Sequence, residues 1–407
     1  MASKIDVTSP AGELQATLSL PSGFRITEVP IPGTSIATAR TAPAPSLGPI
    51  AAFTGTFTGT GFNTIFRPDS TVTPTPLPIK PPPPTPPATI DNILELNLTS
   101  ETLSFSPSLG AVPNRGTTPQ GDIKLNGVPY LQSISDVTNP AQPTGIHLEP
   151  GLWMIVPPTG TPSEGVSLAR MASIPHGTTV VAQGTSTTSN GPPTIPTVDI
   201  TPFTIVTPPA VPTKIPFPSQ VVEDAKTFRI PQNLSSFATA GTITQKILTD
   251  PNTVLRNHLV GQTVTSTTTI SIDTNPTGPL FGGGATNIAF LLGDPLSAKP
   301  NAKTVSMKAT FWIETVEHTI VVPVFKPGQP PLRLKPQVTD ATGGPLPTFI
   351  AEPTVEITEP RKIKFSTTQI QYSQLVLLNF AGLSWPHVSV ATLVPAHPIT
   401  LPPSVWI

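Results

Sequence analysis

The chain of 407 residues has no cysteine, only two tyrosines and four methionines, and few charges of either sign. Without cysteine there is no disulfide, no thiolate nucleophile and no Cys-ligated zinc, iron–sulfur or haem centre. Charged residues make up 11%, less than half the usual ~25%. With Lys+Arg at 22 and Asp+Glu at 23 the net charge is −1, too little to neutralise a phosphate backbone, so nucleic acid is excluded as a partner. No apolar run reaches the ~18 residues of a membrane span. Met1 to Pro10 lacks the basic-then-apolar pattern of a secretory leader, and a cytoplasmic protein is expected. Several catalytic signatures are also missing: no G-x-S-x-G elbow, no phosphate-cradling Gly-Lys-Ser/Thr loop and no His-x-x-x-His pair.

What the chain has in excess is proline, 57 residues, nearly three times the usual ~5%. Each interior proline costs a helix ~3 kcal/mol, so a mostly helical protein is excluded. The apolar fraction of 37% is enough to bury a core. Short alternating segments separated by Gly, Pro and Asn turns predict many strands: Ile93–Leu98, Tyr130–Val137, 146–156, 166–174, 178–185, 263–273, 286–292, 304–324, 354–358, 363–380 and 387–394. A strand is expected from Gly48 through the glycine-rich Phe53 to Phe62. One helix is expected over Thr242 to His258, broken at Pro251. Pro74 to Pro87, with the run Pro81–Pro84, reads as an exposed polyproline II loop. The fold expected is mainly β: a closed antiparallel barrel carrying long Pro/Thr-rich loops and extra strands. Residues 1–47 read as an N-terminal arm and 396–407 as a tail. The elaborated barrel fills 48–395, its core built from 48–190 and 363–395, with 190–360 inserted around it.

Of six histidines, two have telling surroundings. His147 lies in His147-Leu148-Glu149-Pro150-Gly151-Leu152-Trp153. His387 alternates with Ser389 and Ala391 on one strand face, where small neighbours leave room for a flat ligand. His397 follows Pro395 in a Pro-rich tail.

The order of these motifs resembles the nitrobindin-like haem-binding β-barrels, relatives of the calycin barrels. Gly55-Thr56-Phe57-Thr58-Gly59-Thr60-Gly61 is similar to the family's G-x-W-x-G-x-G opening strand, with Phe57 for Trp. Gly127-Val128-Pro129-Tyr130 resembles its G-x-P-aromatic strand, and His147 to Trp153 its His/Glu-Gly-aromatic strand. Ser173 to Gly184 resembles its Pro-Gly-turn strand, with Gln183 for Glu, and His387 to Leu393 its closing His-x-x-Ala-x-Leu, one residue longer here. The likeness covers about 48–190 and 363–395.

The resemblance implies haem b as cofactor, with His387 ligating its iron and Ser389, Ala391, Trp153 and Met171 contacting it. Among the family's larger bacterial members the assignment is peroxidase-like, which implies a hydrogen peroxide substrate. A distal base and a cation near the departing hydroxide are then needed, and His176, His147 and Arg170 are the candidates. Two other classes stay open: a carrier or sensor of haem, nitric oxide or a lipophilic ligand without turnover, and a structural β protein of an assembly. A homo-oligomer is left open as well.

Overall fold

The computed structural model describes residues 44–68, 92–276, 282–294, 296, 300–337 and 343–406. Most of the expected arm, residues 1–43, and the Pro81–Pro84 run lie outside them. Ten antiparallel strands form the framework: β1 (Gly55–Pro68), β2 (Asn92–Phe105), β3 (Ile123–Asp136), β4 (Thr144–Val156), β5 (Ser167–Ile174), β6 (Thr178–Asn190), β7 (Thr263–Asp273), β8 (Lys303–Val322), β9 (Arg361–Phe380) and β10 (Leu383–Pro395). Each pairs with its neighbour in sequence, and β1 pairs with β10, Phe57 opposite Pro395 through Thr64 opposite Val388, so the sheet closes into a barrel.

Four details differ from the expectation. The segment 286–292 is strand only through Asn287, and Ala289–Leu292 coils into a short helix. Residues 354–358 form no strand, only an isolated bridge from Ile357 to Phe325. The first strand starts at Gly55, because 48–54 instead form a 3-10 turn, Gly48–Ile50, that drives Ile50 and Phe53 into the barrel floor. And β7 and β8 are members of the ring, whereas 190–360 was expected only to surround it. Their alternation is plain in the sequence; the register that places them between β6 and β9 is a long-range property.

Alternation puts one face of every strand inside. The floor is aromatic: Phe53 stacks on Phe105 at 4.6 Å, and Trp153 meets Phe311 edge-on at 5.2 Å. Phe57, Ile370, Ala391 and Leu393 fill the space between. Glycine on the inner face makes room: a Cβ on Gly151 would sit 2.4 Å from the Tyr130 ring, so that phenol fits only because Gly151 stands opposite it.

The segment 190–262 wraps the outer face of β10, β1 and β2, where Phe62, Phe66, Leu96, Val388 and Val390 meet Ile195, Ile200, Leu234 and Ile243. It carries the short helices α1 (Ser235–Thr239), α2 (Gln245–Thr249) and α3 (Thr253–Leu259), the last two divided at Pro251 as expected. The tail is anchored: Leu401 and Trp406 are buried beside Ile320 and Ile363 at the far end of β8 and β9.

Under the wrap, Glu314 on β8 is buried. Its Oε2 accepts from Gln369 Nε2 at 2.6 Å, but Oε1 has no partner. Burial pushes its pKa up to about 8, against the opposing Gln369 bond. A carboxyl raised on folding keeps a proton that the unfolded chain gives up above ~4.5, so this group costs stability as the pH climbs from ~4.5 to ~8. Glu314→Gln is therefore expected to stabilise the protein by on the order of 2 kcal/mol at pH 8 and by almost nothing at pH 4. Urea unfolding at the two pH values checks this; equal effects at both would sink it.

Candidate functional site

Above the aromatic floor the barrel interior turns polar, and above that it opens. The opening is a cavity of about 230 Å³. Its walls mix Ile65, Ile134, Ile174, Val180, Met307 and Val376 with Asn63, Gln374, Ser389 and three histidines, His147, His176 and His387. In the ring β10 and β4 are four strands apart, so His387 on β10 and His147 on β4 line different walls of the cavity. His176, in the turn between β5 and β6, stacks on His147 with ring centres 5.5 Å apart. Leu291 of the short helix α4 (Ala289–Leu292) also lines the cavity.

His387 is held by amides. Asn97 Nδ2 donates to Asn63 Oδ1 at 3.2 Å, which turns the Asn63 amino group toward β10. That group donates to Ser389 Oγ and to His387 Nε2, each at 2.7 Å. On this network Nε2 is an acceptor and the imidazole is neutral, its proton on Nδ1. Burial, and then the neighbouring His147 and His176, push its pKa down to about 3. His176 is also lowered, by burial and by His147.

His147 is tied downward, its Nε2 3.2 Å from Glu149 Oε2. Glu149 also receives Arg170 Nη2 at 2.5 Å and the Tyr130 hydroxyl. Burial alone would raise this carboxyl, but the Arg170 charge and the His147 and Tyr130 bonds hold it at about 2. Arg170 further donates from Nε to Tyr130 Oη and from Nη1 to Gln374 Oε1, both at 2.7 Å. Beside this layer is a second buried carboxyl. Glu101 accepts from Thr99 at 2.9 Å, Gln132 at 3.3 Å and Tyr372 Oη at 2.6 Å. Burial raises its pKa against those three donations.

Of the residues singled out from the sequence, His387, Ser389, His147 and His176 come together around the cavity. Arg170, 1% exposed, lies one layer below it, committed to Glu149, Tyr130 and Gln374. Ala391 and Trp153 are in the core beneath. Met171 follows Arg170 on β5 and so faces outward. His397 is exposed. Asn63, Gln374 and the two tyrosine–glutamate pairs were not found by motif. Asn63 was findable: it continues the Gly59, Gly61 alternation on the inner face of β1. Among the described residues no three His, Asp or Glu side chains are grouped to hold a metal ion, and no helix is long and apolar enough to cross a membrane. Comparisons with protein-family models, curated proteins and solved structures find no match.

Proposed function

We propose that the barrel binds haem, with His387 as the ligand to its iron. The observation that carries this reading is the convergence of His387, His147 and His176 on one cavity with largely apolar walls. The donor chemistry fits. A neutral imidazole is a common iron ligand, and a pKa of about 3 keeps His387 neutral well into acid. His387 Nε2 would hold the iron, and the Asn63 amide now bonded there would keep Ser389 as its partner. The isoleucine, valine and methionine walls suit a macrocycle. The free space, about 230 Å³, is below the ~300–1,000 Å³ of pockets that enclose drug-sized ligands. Among the described residues no Lys or Arg lines it, so the propionates of a bound haem would take their hydrogen bonds from water.

A second reading, reaction with hydrogen peroxide, is favoured by the His147–Glu149 pair. Bound haem would supply the iron that reduces the peroxide. Glu149, held ionised by Arg170, fixes the Nε2–H tautomer of His147 and leaves Nδ1 free to take a proton. Arg170 thereby acts through Glu149 instead of meeting the substrate itself.

The test is optical titration with hemin. Wild type and His397→Ala are expected to give a Soret band saturating at one equivalent, with identical ligand-field features. His387→Ala is expected to lose the proximal-ligand spectrum. A folded His387→Ala protein with the wild-type spectrum overturns the assignment.

A further inference from the structure

The chain's two tyrosines are both inside the barrel, and each points its hydroxyl at a buried glutamate. Tyr130 donates to Glu149 Oε1, and Tyr372 donates to Glu101 Oε2 at 2.6 Å. Neither phenol is more than 2% exposed. Glu149 lines the cavity, so Tyr130 stands one hydrogen bond behind its wall. Phe311 bridges the two regions: its ring stacks on Tyr372 at 5.4 Å, and the Arg170 guanidinium lies 5.3 Å from it and 5.5 Å from the Tyr130 ring.

A phenol gives up an electron readily only when its proton can leave at the same time, because the oxidised phenol is a far stronger acid than the phenol with its pKa near ~10. Out of water that proton needs an acceptor already in place. Both glutamates qualify. Glu101 receives three donors and Glu149 receives Arg170, Tyr130 and His147, the arrangement that suits an ionised carboxylate.

We propose that Tyr130 and Tyr372 are redox-active, each passing one electron to an oxidant in the cavity and its proton to the glutamate it already touches. The oxidant's identity in the loaded protein, hydroperoxide at haem, rests on the reading above. The balance closes. Reducing one hydroperoxide to an alcohol and water breaks the O–O bond and consumes two electrons and two protons. Two phenols supply the electrons and become neutral tyrosyl radicals. Their protons stay on Glu149 and Glu101, and the two protons the products need enter from solvent at the mouth.

The test starts with the haem-free protein and a photogenerated ruthenium(III) tris-bipyridyl oxidant, freeze-trapped for electron paramagnetic resonance. With only two tyrosines, any tyrosyl signal is assignable. Wild type is expected to give one, and its Tyr130 component, read in Tyr372→Phe, is expected to be flat from pH 5 to 9, since Arg170 holds Glu149 ionised. Tyr130→Phe and Tyr372→Phe should each remove part of it, the double variant all of it. Glu149→Gln should cut the Tyr130 component by roughly tenfold. A tryptophanyl signal in place of the tyrosyl one, or a Tyr130 component that climbs with pH, overturns the proposal. Tyrosyl radicals with the photo-oxidant but none with hemin and hydroperoxide support the tyrosine–glutamate pairs and overturn the haem reading alone.

Discussion

Arg170→Met is expected to lower the unfolding free energy by ~3–5 kcal/mol, the cost of stranding one partner of a buried ion pair. Both side chains are fully buried, and the guanidinium makes three separate hydrogen bonds inside the barrel. Methionine keeps much of the volume, so the loss is electrostatic more than a cavity effect. Its pH dependence is diagnostic. In the wild type Glu149 has a carboxyl held at about 2, below its unfolded value. Its contribution is complete above ~4.5 and fades as the pH falls toward ~2. In the variant the carboxyl must instead take up a proton to stay buried, so the penalty should be larger at pH 7 than at pH 4. Adding Glu149→Gln to Arg170→Met removes the stranded charge and should recover a good part of the loss. Urea midpoints for the single and double variants give the coupling. A loss under ~1 kcal/mol at pH 7 would show that the pair is no more than a surface-like bridge.

The second large effect is expected at the seam of the barrel. Gly59 on β1 faces Leu393 on β10, and a Cβ there would lie 1.9 Å from the Thr392 carbonyl oxygen. The obstacle is backbone belonging to the pairing strand, so no rotamer change relieves it. Gly59→Ala should therefore part β1 from β10 and cost more than ~4 kcal/mol, enough to deplete the soluble folded protein. The control is Gly145→Ala on β4, where nothing lies within 4 Å of the added carbon. That change should stay within ~0.5 kcal/mol. Thermal midpoints and soluble yield of the two variants decide it; a Gly59→Ala protein melting like wild type would mean the strands have slack at closure.

Local chemistry was legible in the sequence, and long-range register was not. Period-two alternation marked nearly every strand of the ring, and Pro251 marked the break between α2 and α3. His387 and Ser389 were placed on an inner face from alternation alone, and they line the cavity. Ala391 shares that face, but the next step along β10 carries it below the cavity into the core. Arg170 shows the same limit: it points inward, yet its layer is set by pairing with β4, which brings it to Glu149. The wrap over 190–262 resisted reading because its anchors, Ile195, Ile200, Leu234, Ile243 and Leu255, follow no period. They sit where short helices and turns happen to meet the outer sheet, a relation no local pattern encodes.

The seam that Gly59 permits also sets a timetable. Nine of the ten strand pairings join neighbours in sequence and can form as the chain emerges. The tenth joins β1 to β10, Phe57 with Pro395, nearly the whole polypeptide later. At ribosomal speeds of ~5–20 residues per second, β1 waits on the order of 20–60 s with one edge of its ladder unmade. During that interval it is a charge-poor, Thr- and Gly-rich strand that another nascent chain could pair with. Closure removes the hazard at once, because a finished ring has no edge to offer. Yield should then depend on how fast the last strand is delivered, and slowing translation just upstream of β10 should favour insoluble product although the finished sequence is unchanged.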